Sequence, residues 1–374
     1  MGLVGLGLVP LEPTVPDYAD RGITNVIGAV RDPTAPGALG DLREAIRGAR
    51  SVVLVLLDGL GQLQLEERAA IAPWLASHRL DPITSVAPST TASALTSITT
   101  GTAPGEHGLV GYRFDLHGDV LQALRWTVDG KDATALHPPE AIQRREPKLV
   151  LDGRPVPYVG KRSYATSPFT RAHLRGAAYV GVDDESAWVS ESADATEGHR
   201  LVLAYHDGID KLAHAEGLGD AYRAAIAEAD GLVAALRATL PDDVAVVVTA
   251  DHGQVDVGSV AVSPSPSTLA LVDKMSGEGR FRWLHAHPGS GAELAERVAS
   301  ELSDSCWVRT RREICDAGWL GEVDDDHVSR LGDVAVVPFA DAYVPDPSEP
   351  REAGMKGRHG SLTEAEMFVP LVVG

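Results

Sequence analysis

The sequence predicts an α/β protein with a mostly parallel central sheet flanked by helices, and two apolar runs carry this prediction. Residues 51–57 (SVVLVLL) and 244–250 (VAVVVTA) are almost continuously apolar, as strands buried on both faces of a parallel sheet must be. Amphipathic segments lie between the apolar runs, and this alternation is typical of a sheet with crossover helices. Shorter apolar runs at 201–205, 333–337 and 368–373 predict further strands.

Three segments have the apolar spacing of amphipathic helices. In residues 220–240 apolar side chains recur three and four positions apart, which predicts a crossover helix leading into the strand at 244–250. Residues 291–304 and 41–49 predict two further helices.

The stretch 115–199 differs from its surroundings. It is rich in Pro, Gly, Arg and Asp, with short possible strands and no cluster of potential ligands. A chain of 374 residues fits one large α/β domain with insertions or two unequal lobes. We interpret residues 1–374 as a single catalytic domain and 115–199 as an inserted cap or elaborated loop region.

Composition limits the partners and the compartment. The formal net charge is −20, so neither a nucleic acid polymer nor an anionic membrane surface is expected as a partner, since both bind through basic patches. The only cysteines, Cys306 and Cys315, lack a metal-binding spacing, and two reduced thiols are expected. The opening segment has no basic region and an early Pro10, which predicts neither a secretory signal nor a membrane span and favours a cytoplasmic location.

Residues with metal-binding side chains directly follow the two main predicted strands. Asp58 follows 51–57, and Asp251 and His252 follow the strand that begins at residue 244; open α/β sheets bind ligands just beyond the carboxyl ends of their strands. Adjacent side chains in a strand point apart. Asp251 and His252 are therefore expected on the turn that leaves the strand, where Gly253 relaxes the backbone.

Two further segments complete a possible ligand set. Asp210 and His214 are separated by three residues, so one helical turn lets both contact the same ion. His359, in GRHGS, supplies a third ligand. Oxygen and imidazole donors without thiolates suit two divalent ions, Zn²⁺ first, with manganese or iron as competitors. Three carboxylates with two such ions leave about +1 locally, which attracts a small-molecule phosphate ester.

The segment PSTTASALTSITTG has the composition of a helix that begins near Thr91. Hydroxyl residues precede helix-compatible ones, and Gly101 stands where a helix ends. At a helix amino end, free N–H groups and the macrodipole favour an alkoxide and a phosphate. A threonine hydroxyl is a weak nucleophile, and without a histidine nearby in sequence it needs a metal ion. The alternative is that Ser89, Thr90 and Thr91 only cap an ordinary helix.

The order of these motifs resembles the alkaline phosphatase superfamily, specifically its type I phosphodiesterase/nucleotide pyrophosphatase branch. The motifs are Asp, Thr, Asp with His four positions on, Asp-His-Gly and His-Gly, and TGTAPGEHG is similar to the family pattern TG-x-x-P-x-x-HG. Counting back from that pattern sets Thr91, not Thr90, in the nucleophile position. The resemblance covers roughly 50–114, 201–256 and 354–373.

The resemblance implies an alkaline-phosphatase-like fold and a set of roles. Asp210, His214 and His359 would hold one zinc, and Asp58, Asp251 and His252 the other. Thr91 would sit beside the second ion, attack phosphorus in line and become a phosphothreonine. Water activated by the first ion would hydrolyse this intermediate, with the two metals ~3.5–4 Å apart.

Two departures from the family pattern concern substrate binding. The family usually has an asparagine shortly after HG; the corresponding stretch here is LVGYRF, where Tyr112 could donate a hydrogen bond instead. Vertebrate members carry an aromatic pocket for the nucleobase, and no counterpart is visible in the sequence. His107 and His206 lie within the motif segments, and we expect them to support ligands or loops.

The expected function is therefore a two-metal phosphodiesterase or nucleotide pyrophosphatase acting on a small soluble phosphodiester. A phosphomonoesterase or phosphonate hydrolase of the same superfamily is the main alternative, because it shares the metals. A phosphomutase and a metal-binding module without catalysis are further alternatives. A sulfatase is disfavoured, since that chemistry needs a modifiable Cys or Ser where this chain has Thr91.

Overall fold

The computed structural model describes residues 12–374, apart from the side chain of Arg351. The interpretation of the opening segment concerns chiefly residues 1–11, which lie outside the described residues. The strands, in chain order, are β1 Ser51–Leu57, β2 Ile83–Thr84, β3 Arg113–Leu116, β4 Asp119–Gln122, β5 Thr127–Val128, β6 Lys131–Asp132, β7 Val150–Leu151, β8 Arg154–Pro155, β9 Pro157–Lys161, β10 Ala178–Val182, β11 Leu201–His206, β12 Val244–Thr249, β13 Val255–Asp256, β14 Val272–Glu278, β15 Phe281–Ala286, β16 Cys306–Thr310, β17 Val334–Pro338, β18 Gly357–Arg358, β19 Phe368–Val369 and β20 Val372–Val373.

Helices occupy much of the chain between the strands. They are α1 Val26–Arg31, α2 Gly40–Ala45, α3 Gln62–Glu67, α4 Pro73–Ser77, α5 Thr91–Thr100, α6 Pro104–His107, α7 Pro139–Ile142, α8 Pro168–His173, α9 Glu185–Asp194, α10 Gly208–Glu216, α11 Asp220–Thr239, α12 Pro266–Leu269, α13 Gly291–Leu302, α14 Arg311–Asp316, α15 Asp325–Val328 and α16 Glu364–Met367. Short 3-10 turns lie at Ile23–Asn25, Ala69–Ile71, Arg162–Tyr164 and Pro350–Gly354. No helix within residues 12–374 has the length and apolar character that a membrane span requires.

The central sheet confirms the predicted α/β fold. Its strand order is β10-β9-β11-β1-β12-β20. Four of its five pairings are parallel, and β20 runs antiparallel to β12 at one edge. β1 is buried along its whole length, which explains why its sequence is continuously apolar. The predicted helices are present as α11, α13 and the shorter α2.

Two predicted strands differ from expectation. The run 333–337 does form a strand, β17, but it lies in a separate antiparallel sheet of order β14-β15-β17-β16. The run 368–373 is not one strand: β19 pairs with β2 and β20 pairs with β12. Pro370 lies between them, and a proline cannot donate to a sheet ladder.

The stretch 115–199 does not stand apart from the fold as one unit. Its second half supplies β9 and β10 to the central sheet. Its first half contributes to a small antiparallel sheet of order β3-β4-β5-β6. The larger addition to the central sheet is instead the β14–β17 sheet, where α13 packs through Leu294 and Val298 into a second apolar core. The short runs PYVGK and AYVGV carry too little apolar pattern to identify them as buried strands.

Candidate active site

The strand order brings three of the segments with potential ligands to the carboxyl end of the central sheet. β1 lies between β11 and β12 in parallel register, so Asp58 and Asp251 leave neighbouring strands at the same end. Asp210 lies on α10, which follows β11 directly. In the loop that carries His359, Gly360 forms a β-bridge with Ser89. This bridge holds the loop against the segment that precedes α5.

One group consists of Asp58, Asp251 and His252, all buried. Their candidate ligand atoms lie within 4.8 Å of one another. His252 Nε2 is 3.6 Å from Asp58 Oδ1 and 3.4 Å from Asp251 Oδ2. The second oxygen of Asp58 accepts a hydrogen bond from the Tyr205 hydroxyl, and Oδ1 of Asp251 accepts from the backbone N–H of Gly59 at 3.1 Å.

The other group consists of Asp210, His214 and His359. Asp210 Oδ1 lies 3.2 Å from His214 Nε2 and 3.8 Å from His359 Nε2, and the two Nε2 atoms are 3.3 Å apart. The His252 ring stacks on the His359 ring at 3.6 Å between centroids. His252 therefore also lies within ligand distance of Asp210 and His359, and the two groups adjoin through it.

Backbone carbonyls fix how these three histidines present their nitrogens. The Nδ1 atoms of His214, His252 and His359 lie 2.8, 3.1 and 2.8 Å from the carbonyl oxygens of Gly357, Gly253 and Ser89. A carbonyl only accepts, so each Nδ1 carries the proton and each Nε2 keeps its lone pair. Such carbonyl contacts orient histidines that bind metals.

The cluster suits cations because part of its buried negative charge has no partner among the described residues. Asp58 Oδ1 and Asp251 Oδ2 are buried without a hydrogen bond in the described residues. Burial, with the nearby Asp251 and Asp210 carboxylates, raises the pKa of Asp58 well above its usual range, and burial also raises the pKa of Asp251. Burial and the neighbouring His252 and His214 lower the pKa of His359. Divalent cations would satisfy all of these groups together.

Thr91 is the first residue of α5 and faces this cluster. Its Oγ1 lies 3.2 Å from His252 Nε2. Thr90 has the extended backbone of a capping residue but makes no cap with its side chain; its hydroxyl donates to Glu278 Oε2 at 3.0 Å. The first turn of α5 therefore keeps free N–H groups beside the Thr91 hydroxyl. Gly101 ends the helix with φ 68°, as predicted.

The other predicted residues have definite places. Tyr112 lines a cavity of about 210 Å³ together with Thr91, and its hydroxyl accepts a 2.6 Å hydrogen bond from Gln122. His107 contacts Ser97 at 2.9 Å. The His206 ring accepts from the N–H of Gly208 at 3.4 Å, and the His206 carbonyl accepts from the N–H of Asp58 at 2.9 Å. Both stabilise loops.

The sequence predicts that Gly253 is needed to relax the backbone of the turn, and this reason is wrong. Its φ is not in the left-handed region. A Cβ at this position would instead meet the backbone oxygen of Ala365 at 2.0 Å and the Cα of Gly61 at 3.0 Å. The glycine is required because two other segments pass directly against the turn, and sequence alone cannot reveal such an approach.

A second cavity beside Thr91 was not visible in the sequence. It has a volume of about 360 Å³ and shares Asp58, Thr91 and Asp210 with the site. Its remaining wall is rich in aromatic side chains, namely Tyr158, Tyr164, Phe169, Tyr179 and Tyr205. We call it the aromatic cavity, and we call the 210 Å³ cavity, which Glu278, Glu349 and Glu352 also line, the acidic cavity.

The fold and the clustered motifs together define a hydrolase of the alkaline phosphatase superfamily. The family model for type I phosphodiesterase/nucleotide pyrophosphatase matches residues 52–362, and the chain belongs to that family. A search of the curated proteins finds no match to the sequence.

Solved structures of similar fold come from two groups of enzymes. Human ectonucleotide pyrophosphatase/phosphodiesterase 5 is 14% identical with a TM-score of 0.62, covering 86% of this chain and 87% of that one. An inactive threonine-to-alanine variant of the murine protein, in complex with AMP, is 15% identical with a TM-score of 0.61 and the same coverage. Phosphonoacetate hydrolase from Sinorhizobium meliloti 1021, in complex with phosphonoacetate, is 17% identical with a TM-score of 0.62, covering 87% and 90%. At these identities the likeness concerns the fold.

Proposed function

We propose that this protein hydrolyses small soluble phosphodiesters, including pyrophosphate-linked nucleotides, with Thr91 as the nucleophile. The observation that carries the proposal is the position of the Thr91 hydroxyl, 3.2 Å from His252 Nε2 at the start of α5 and on the wall of two cavities. A role in helix capping alone would not account for the position of Thr91 beside six potential metal ligands.

Two divalent ions, Zn²⁺ first and Mn²⁺ second, fit the donor set. Asp58, Asp251 and His252 would hold one, and Asp210, His214 and His359 the other. When bound, such ions supply Lewis acidity, which lowers the pKa of coordinated hydroxyl groups and water and stabilises charge on phosphoryl oxygens.

The protein's own groups then account for the rest of the reaction. Thr91 Oγ1 attacks phosphorus, the bond to the leaving oxygen breaks, and a phosphothreonine forms; water cleaves it and regenerates the hydroxyl. The free N–H groups at the start of α5 stabilise the non-bridging oxygens. Tyr112, which lines the acidic cavity, would donate a hydrogen bond to a substrate oxygen.

The aromatic cavity supports an ester whose organic group includes a planar ring, such as a nucleotide ester. The nucleobase of such a substrate would stack on the aromatic side chains. His173 adds a polar feature to this wall: its Nδ1 contacts the Phe169 carbonyl at 2.7 Å, and its buried Nε2 has no partner in the described chain. Burial lowers the pKa of His173 to about 4, so Nε2 is an acceptor for a ring donor.

A Thr91 variant tests the mechanism. We expect protein loaded with Zn²⁺ to hydrolyse bis(4-nitrophenyl) phosphate, and Thr91→Ala to lose about 10³-fold or more in kcat because the nucleophile is gone. Thr99→Ala is the matched control on the same helix, since the Thr99 hydroxyl donates to carbonyls of its own helix. Equal activity of the Thr91→Ala and Thr99→Ala proteins contradicts the proposed nucleophile.

Metal analysis and a substrate panel complete the test. Two ions per chain, loss of activity with a chelator and recovery with Zn²⁺ are expected. Phosphonoacetate and a phosphomonoester belong in the panel, because a phosphonate hydrolase with the same ligands is the second candidate. Faster turnover of either one than of the diester would reassign the substrate class within the superfamily.

A further inference from the structure

We infer that Arg125 binds a second anionic group on the half of the substrate that is not attacked. The inference rests on the proposed function and starts from one geometric fact. The aromatic and acidic cavities share four lining residues: Thr91, Leu124, Arg125 and Asp210. Arg125 therefore stands where both cavities meet beside the nucleophile, and it also lines a third, outer cavity of about 410 Å³.

Arg125 is the cation on these two walls that has no partner in residues 12–374. Lys211 pairs with Asp207 at 2.6 Å, and Arg280 pairs with Glu366 at 2.6 Å. Arg358 lies over the Tyr343 ring, 3.7 Å from its centroid, and donates to a backbone carbonyl. Arg358 keeps an unpaired Nε, but among these cations only Arg125 has its whole guanidinium without a hydrogen bond or ion pair in the described residues.

A rigid turn presents Arg125 to the site. The turn between β4 and β5 begins with the Ala123 N–H bonded to Tyr112 O at 2.8 Å and closes with the Trp126 N–H bonded to Gln122 O at 2.7 Å. The Trp126 side chain is fully buried, and its Nε1 donates to His137 O at 2.6 Å. Because the neighbouring Trp126 holds the turn in place, little backbone entropy remains to be lost when Arg125 binds an anion.

The groups that already surround the attacked phosphoryl group indicate which part of the substrate Arg125 binds. The phosphoryl group under attack already has the ligand cluster and the start of α5. A planar guanidinium matches a carboxylate or phosphate with two parallel hydrogen bonds. The substrate class is therefore a phosphoryl compound whose leaving half carries such an oxyanion. In a pyrophosphate-linked nucleotide this oxyanion is the second phosphate, and in a carboxylated phosphonate it is the carboxylate.

Kinetics of Arg125→Ala on three substrates test this inference. For a dinucleoside diphosphate and for phosphonoacetate we expect kcat/KM to fall ~10- to 100-fold, mainly through KM, as for loss of a charged hydrogen bond. Bis(4-nitrophenyl) phosphate, whose second half is uncharged, should change less than about twofold. The substrate whose kcat/KM falls more in Arg125→Ala identifies the phosphate or the carboxylate as the group that Arg125 recognises. Arg125→Lys should recover part of the lost kcat/KM, because lysine restores the positive charge but not the two parallel hydrogen bonds of the guanidinium.

The control variant is Arg312→Ala, which removes a positive charge from the exposed helix α14 and should leave all three substrates unaffected. Calorimetry with inorganic pyrophosphate and inorganic phosphate provides a readout without turnover: Arg125→Ala should weaken pyrophosphate more than phosphate. Equal loss on charged and uncharged substrates, or unchanged pyrophosphate binding, overturns the inference. A wild-type protein that does not cleave the nitrophenyl diester refutes the proposed function instead, and the calorimetry still decides the role of Arg125.

Discussion

Asp251 and His252 serve one site although they are neighbours, because the chain turns between them. The Asp251 carboxylate accepts from the backbone N–H of His252 at 3.0 Å, and the His252 ring is fixed by the carbonyl of Gly253. The next peptide is held in turn, since the N–H of Gly253 donates to Glu366 O at 2.9 Å. The position of two proposed ligands thus depends on a residue without a side chain.

Gly253→Ala should disrupt this arrangement. The added Cβ would overlap the Ala365 carbonyl, and the turn must move to relieve the contact. We expect zinc affinity, measured by competition with a chelator, to fall ~10- to 100-fold, as when supporting contacts of a metal ligand are lost. Gly231→Ala is the matched control because it lies within α11 with open space around its Cβ position. Unchanged zinc affinity in Gly253→Ala would contradict the steric explanation.

At the scale of elements, α5 depends on the loop that follows it. All ten of its residues are buried, and His107 ties the loop back to the helix. The Leu109 N–H donates to His107 Nδ1 at 3.1 Å, so Nε2 carries the proton and donates to Ser97 Oγ at 2.9 Å. Burial lowers the pKa of His107 from 6.5 to about 3. The histidine must therefore stay neutral for the loop to keep its place.

This shift predicts a pH-dependent contribution to stability. A histidine whose pKa is lower when folded stabilises the protein above pH 6.5, and this contribution is lost as pH falls from 6.5 towards 3. Between pH 7 and pH 5, wild type should lose about 2 kcal/mol more free energy of unfolding than His107→Gln, which does not titrate. Urea unfolding at the two pH values measures the difference. An equal loss in both proteins would argue against a neutral buried His107.

Sequence predicted the elements with a strong local pattern and not those defined by distant contacts. β1, β12, α5 and α11 are long and strongly patterned, and they carry or flank most of the proposed ligands. β9 and β10 have five residues each, and only their pairing with each other and with β11 makes them strands. The aromatic cavity follows from that pairing, because its rings come from positions 158 to 205 and meet only once the sheet has formed.

The same reason explains which site contacts were missed. The Tyr205 hydroxyl on Asp58 and the Glu278 carboxylate on Thr90 join residues more than a hundred positions apart. The motifs that carry the proposed ligands could be predicted because each is compact and each follows a recognisable strand or helix. Arg125 lies in a turn without any motif, and only its place between two cavities distinguishes it from other exposed arginines.

At the scale of the whole molecule, the protein and its proposed substrate both carry a net negative charge. The net charge of −20 repels anions at a distance, whereas two divalent ions and Arg125 would make the site locally attractive. These fields differ in range: the molecular charge acts over a Debye length, about 30 Å at 0.01 M salt and 10 Å at 0.1 M, while contacts inside a partly buried site are screened much less. Salt should therefore weaken the repulsion more than the binding.

We accordingly expect kcat/KM for a pyrophosphate-linked nucleotide to rise about two- to fivefold between 20 and 200 mM salt. The rise should be smaller for bis(4-nitrophenyl) phosphate, because that substrate carries one negative charge rather than two. Initial rates at low substrate concentration give kcat/KM directly, and an acetate salt avoids halide competition for the metals. A decrease with salt for the more highly charged substrate would mean that attraction by the site extends beyond the acidic surface, and that net charge does not control encounter with the substrate.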